Sequence, residues 1–236
     1  MTKVYTIGHS TRTLDEFLAI LAKFGILVVV DIRTVPRSRH NPQFNSDVLK
    51  SSLEENGIAY VHLKGLGGLR HPTGENTNAA WRNDSFRGFA DYMQTPEFRS
   101  ALEELITIAR ERTTVIMCAE AVPWRCHRSL IGDALLVEGV EVEHIMSVEG
   151  SRPHKITPFA KVVDGKVTYP PAADTHAFPQ PDRSVPAARP SRSGRPCPAF
   201  RSPGSRCPIP RVFPCKGVGR SRSCGRLAYR RRSPSP

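Results

Sequence analysis

Long apolar runs are missing from this 236-residue chain. None approaches the roughly 18 apolar residues that a membrane-spanning helix needs. The opening "MTKVYTIGHS" also lacks the continuous apolar core of a secretory signal. Both absences point to the cytoplasm and to no membrane partner. Cysteine is scarce as well: of six, only Cys118 and Cys126 precede residue 172. Two thiols build no disulfide framework, and a domain of this length needs none. Net charge is absent from the same stretch. The chain carries +12 formally, but 14 of its 34 Lys and Arg and two of its 22 acids follow residue 171, leaving 20 of each before it. Composition therefore excludes a basic surface spread over the whole protein.

The charge sits in residues 172–236, where 12 of the 21 prolines also lie among Arg, Ser and Gly. Such a segment lacks the apolar content to offset its chain entropy, so a disordered basic tail is expected there. It reads as an arm for nucleic-acid phosphates, as an inert appendage, or as out-of-frame translation of a GC-rich gene. A frameshift near residue 172 would produce such text, and resequencing the locus tests it.

Residues 1–171 read as one α/β domain. "KVYTIGH" (3–9), "ILVVVDIR" (26–33), "AYVHL" (59–63), "TTVIMCAE" (113–120) and "VEVEHIMS" (140–147) are strand-like runs. Helices fit between them. Thr13 with Glu16 forms a capping-box pattern ahead of Leu14, Phe17, Leu18 and Leu21 at helical spacing. A helix over about 46–56 stops at Asn56-Gly57, and others are expected near 81–93, from Thr95-Pro96 to about Arg112, and from Cys126 to Glu138. "KVVDGKVTY" (161–169) reads as a hairpin turning at Asp164-Gly165. Alternating strands and helices imply a Rossmann-like three-layer sandwich with a mainly parallel sheet. In such sheets ligands bind at the carboxyl ends of the strands.

That edge collects polar chemistry from four segments: His9, Ser10 and Arg12; Asp31, Arg33, Arg37, Arg39 and His40; Arg70 and His71; and Cys118, Glu120, Arg125, Cys126, His127 and Arg128. Each segment also has a plain reading. His9 and Ser10 equally suit a strand end and its turn, and Asp31 suits an ion pair with an arginine of its own loop. "GLGG" fits neither dinucleotide nor phosphate-loop spacing, so it reads as a flexible lid.

"CAEAVPWRCHR" (118–128) supports four uses. A helix beginning near Arg125 or Cys126 would offer free N–H groups and a positive dipole to a phosphate. The same position would lower the thiol pKa of Cys126, making it a nucleophile or redox cysteine with Cys118 as partner. Phosphatase-type loops place Cys five residues before an Arg, whereas six residues separate Cys118 from Arg125. A metal site on Cys118, Cys126, His127 or His9 matches no standard zinc spacing. The fourth use is a structural helix start.

The blocks "YTIGHS", "DIRTVPRSRHNPQF", "LGGLR", "FADYMQTPEF" and "CAEAVPWRCHR", with "SLIGDALL" after the last, resemble the bacterial and archaeal domain-of-unknown-function 488 family over residues 3–147. The resemblance implies a compact α/β domain and brings no reaction, cofactor or residue role.

From the residues themselves, the leading expectation is a rim that binds a phosphate-bearing small molecule or a nucleic acid, with hydrolysis as the reaction it would suit. Arg33, Arg37, Arg125 and Arg128 would hold the anion, with Ser10 and Asp31 in contact. His9 or His127 would be the general acid/base, oriented by Glu120 or Asp31. The alternatives are a thiol enzyme or redox sensor on Cys126 and Cys118, and a non-catalytic module binding nucleic acid or protein. No cofactor, resident metal or oligomeric state is indicated.

Overall fold

Central strands buried at every position send side chains to both faces of the main sheet, and a core lies on each side of it. The computed structural model describes residues 2–171; the tail expected over 172–236 lies outside the described residues. In chain order the elements are β1 (Lys3–Gly8), α1 (Leu14–Lys23), β2 (Val28–Asp31), α2 (Ser46–Glu55), β3 (Ala59–His62), α3 (Asp84–Tyr92), α4 (Pro96–Glu111), β4 (Thr114–Cys118), α5 (Arg128–Val137), β5 (Glu141–Ser147), β6 (Gly150–Pro153), β7 (Lys161–Val163) and β8 (Lys166–Thr168). Six strands form a sheet in the order β3-β2-β4-β1-β5-β6. The first five are mutually parallel, and β6 runs antiparallel along β5.

Period-two alternation sends successive side chains to opposite faces. Along β4, Val115 and Met117 join Phe17, Leu21, Phe44, Leu49 and Leu53 beneath α1 and α2. Ile116 and Cys118 face Phe89, Leu102, Leu105 and Leu130 of α3, α4 and α5. Each fully buried Leu or Phe in such a layer contributes about 1.5–3 kcal/mol. The three-layer α/β sandwich is therefore the observed fold. Among the described residues, no helix is long and apolar enough to cross a membrane.

Local signals set most element ends. The Thr13–Glu16 capping box is formed in both directions. The Thr95 hydroxyl accepts from Phe98 N, and the Asn83 side chain caps α3. Strand β2 stops where the Asp31 carboxylate accepts the Arg33 backbone N–H, at 3.0 Å, and turns the chain. Asp164 and Gly165, both at positive φ, make the tight β7–β8 turn.

Two expectations differ from the structure, and one strand carried none. Helix α5 begins at Arg128, not at Arg125 or Cys126. Pro123 opens a separate 3-10 turn, which Cys126 N closes on Pro123 O, and Cys126 itself is extended. The 64–80 loop is tied down and is no loose lid: Asp91 accepts from Thr73 N at 3.0 Å and from Asn78 at 2.8 Å. Strand β6 had no sequence signal, because "GSRP" lacks β-branched residues and ends on proline.

Candidate functional site

Parallel pairing brings the ends of β1, β2 and β4 level, with Gly8 opposite Cys118 and Asp31 opposite Met117. The ends of β1 and β4 continue together, as His9 N donates to Cys118 O and Ser10 N to Ala119 O, each at 2.9 Å. Gly8 is required at this crossing. A Cβ there would fall inside the Glu120 carbonyl and against the Arg128 guanidinium.

At the β1 end, the His9 ring is buried and stacks on Phe44 at 4.3 Å. A carbonyl can only accept, so Nδ1–H of His9 donates to Ser10 O at 3.0 Å. Its Nε2 lone pair is then left to receive Arg33 Nη1, 3.3 Å away. Burial, with Arg33 adding repulsion, pushes this imidazole down to about 4. The expectation of a His9 acid/base titrating near neutrality is thus corrected, because both ring nitrogens are engaged. Arg12 is also spent on backbone, donating to Gly8 O and Met146 O.

At the β2 end, Asp31 and Arg33 form a buried bidentate pair, with Nε–Oδ1 at 2.9 Å and Nη2–Oδ2 at 2.5 Å. Tyr60 donates a further hydrogen bond to Asp31, at 2.8 Å. Asp31 therefore orients an arginine and no histidine. Arg37, Arg39 and His40 are exposed. Arg70 lies over the Tyr92 ring at 3.5 Å, and His71 is exposed.

At the β4 end, the sulfurs of Cys118 and Cys126 and a nitrogen of His127 lie within 4.8 Å of one another. Arg128 Nε donates to Cys126 Sγ at 3.4 Å, and His127 Nδ1 stands 3.7 Å from it. A hydrogen bond from Cys118, then the neighbouring His127 and Arg128, hold the Cys126 thiol well below its ordinary value. Cys118 is pushed up by donating that bond and by burial. Cys126 is therefore the more acidic of the two thiols. This donor set, two sulfurs and an imidazole, also suits a soft metal ion.

Arg128 itself is 1% exposed, and its guanidinium also donates to Glu120 O and Ala121 O. It fastens the β4–α5 loop and is not free for an external anion. Glu120 is exposed, with its carboxylate on Ala121 N, so it reaches no histidine. Arg125 is exposed too.

A cleft of about 330 Å³ joins three of these segments. His9, Arg33, Arg37, Ser38, Cys118 and His127 lie on its wall, and no carboxylate does. Ser10 and Glu120 line a shallower hollow beside it, of about 310 Å³. Larger hollows, of about 460 and 580 Å³, lie away from this edge, against the β7–β8 turn and beside Thr2 to Tyr5.

One buried network carried no expectation from sequence. Asp133 of α5 accepts from His154 Nε2 at 2.9 Å, Thr157 N at 2.9 Å and Tyr169 Oη at 2.7 Å. His154 Nδ1 meets His144 Nε2 at 2.9 Å, and His144 Nδ1 meets Thr6 Oγ1 at 2.7 Å. The available signal was an aspartate inside the apolar run "SLIGDALL", where an unpaired carboxylate would be costly.

No curated protein and no solved structure matches the chain. The family described as "Domain of unknown function DUF488" matches residues 13–135, from the cap of α1 to the last turn of α5 and over more than half of the 236 residues. His9 and Ser10 precede that match, whereas the Asp31–Arg33 pair and the whole of "CAEAVPWRCHR" fall inside it. The sheet edge described above is thus largely the edge of a shared domain, and the chain belongs to the DUF488 family.

Proposed function

We propose that the 330 Å³ cleft binds a phosphate-bearing ligand. The observation that supports this is its wall, where Arg33, Arg37, His9 and His127 meet without a carboxylate. Ser38 and Thr34 add neutral polar groups. Arg33, already paired with Asp31, shapes the site, and Arg37 supplies the mobile charge. Among the described residues Arg37 has no ion-pair partner, so its guanidinium fork is free for an anion. The remaining histidine on the wall is His127, whose Nδ1 faces Cys126 and whose Nε2 is buried without a hydrogen-bond partner, and the acid/base role is assigned to it on its place in the wall.

Arg37→Ala should weaken binding of inorganic phosphate to the full chain by about tenfold, the worth of one charge-assisted contact of about 1.4 kcal/mol. Calorimetric titration of both proteins reads this, and equal dissociation constants would end the proposal. Because Arg37 is exposed, its loss should leave stability within about 0.5 kcal/mol.

A second reading, a thiol enzyme or redox sensor, is favoured by the donors converging on Cys126 Sγ. Its test is the thiolate ultraviolet absorbance lost in Cys126→Ser, followed against pH, which needs no reagent to reach a buried sulfur. The step belonging to Cys126 should lie well below the ordinary thiol range. A step near the ordinary value of roughly 8.5 would dismiss thiol chemistry at this pair.

A further inference from the structure

A second hollow, of about 380 Å³, opens on the other side of the β4–α5 loop and shares no lining residue with the cationic cleft. Its walls are mainly apolar and flat, with Trp81, Trp124, Pro123 and Met146 among them. Its polar lining is Ser129, Thr157, the rings of His144 and His154 and the side chains of Arg152 and Lys155, again with no carboxylate. This is the pattern of a small-ligand site: apolar walls, a few convergent polar groups, and a volume in the usual range.

The two indoles differ in a useful way. Trp81 is braced by Phe86 at 4.7 Å, Phe159 at 4.9 Å and Tyr169 at 5.5 Å, so its ring is a fixed wall. Trp124 is 61% exposed, and no aromatic ring among the described residues stacks on it. A large aromatic left in water at the mouth of an apolar pocket is an unfilled stacking face. His154 is held from behind by Asp133, and His144 is held by Thr6 and His154, so both imidazole edges are set before any ligand arrives.

We propose that this pocket binds a mononucleotide, with its base stacked on Trp124 and its phosphate held by Arg152 and Lys155. A flat heteroaromatic ring uses the indole face, which accepts any base. The rings of His144 and His154, with all four nitrogens already paired, serve as fixed walls, and the phosphate's negative charge suits the acid-free side that carries Arg152 and Lys155. The inference stands independently of the phosphate cleft, because neither Arg33 nor Arg37 takes part.

The two tryptophans of the chain are Trp81 and Trp124, so intrinsic tryptophan fluorescence of the full protein reports on this pocket. Titration with AMP, GMP, CMP and UMP should give a saturable change with at least one of them. Inorganic phosphate alone should give none. Trp124→Ala, which keeps Trp81 as reporter, should raise the dissociation constant roughly tenfold. The double variant Arg152→Glu, Lys155→Glu should weaken the nucleotide and leave the corresponding nucleoside unaffected. Arg37→Ala should leave the titration unchanged, which separates this pocket from the phosphate cleft.

The proposal is overturned if no mononucleotide gives a saturable change, or if saturation needs an oligonucleotide. It is equally overturned if calorimetry finds the Trp124→Ala and Arg152→Glu, Lys155→Glu proteins binding as tightly as the parent.

Discussion

Replacing Arg128 by methionine should cost the domain about 3–5 kcal/mol, close to the loss expected for breaking a buried ionic network. The side chain is 1% exposed, so methionine keeps most of the stem and removes the guanidinium. That guanidinium donates to the carbonyls of Glu120 and Ala121 and to the Cys126 sulfur. Each buried acceptor left without a donor costs about 1–3 kcal/mol. The Gly8 backbone is packed against the same loop, so water has no room to replace the lost donors without moving it. Urea unfolding of parent and variant at neutral pH measures the difference. A loss under about 1 kcal/mol would show that the guanidinium is not fastening the loop and is free to hold a ligand, as first expected from its place in the sequence.

That contrast shows where sequence reasoning runs out. The layers were legible, because helical spacing after Thr13 and the continuous apolar run in "TTVIMC" are local patterns that burial imposes on every α/β domain. The helix ends at Asn56-Gly57 and Thr95-Pro96 and the turn at Asp164-Gly165 were legible for the same reason: the chemistry of a turn lies within three or four residues. The rim was legible as a gathering of residue types on one edge. Which of its arginines are free was not. Arg33, Arg37, Arg125 and Arg128 look alike as letters. Two of them are buried under contacts made by Asp31, Phe44, Glu120 and Ala121, and two face solvent. The start of α5 was missed because a 3-10 turn from Pro123 imitates a helix start. The Asp133 network was missed because its partners, at 154, 157 and 169, lie 21 to 36 residues away. A single sequence does not reveal that separation.

Acid should destabilise this domain steeply between pH 6.5 and 4, through His9 and His144. Both are buried, and both are pushed down to about 4 from an ordinary 6.5, chiefly by burial. Arg33, Asp31 and Arg128 surround His9, while His154, Arg128, Asp133 and Cys126 surround His144. The hydrogen bonds agree with neutral rings. His9 Nε2 faces a donor from Arg33, and the bond between His144 Nε2 and His154 Nδ1 needs one lone pair. Well above pH 6.5 both rings are neutral whether the chain is folded or not, so neither contributes a pH dependence there. Below it the unfolded chain takes up protons that the folded chain refuses. Stability therefore falls with falling pH, at about 1.4 kcal/mol per pH unit for each histidine. Between pH 6.5 and 5 the two together should remove about 3 kcal/mol, a large part of the 5–15 kcal/mol typical of a domain. Urea unfolding at the two pH values reads the loss, and His144→Asn should roughly halve its slope. Equal stability at pH 6.5 and 5 would mean that both rings accept a proton in the folded state. In that case the neutral, Arg33-facing His9 described here would be wrong, and His9 would return as a candidate acid for the cleft.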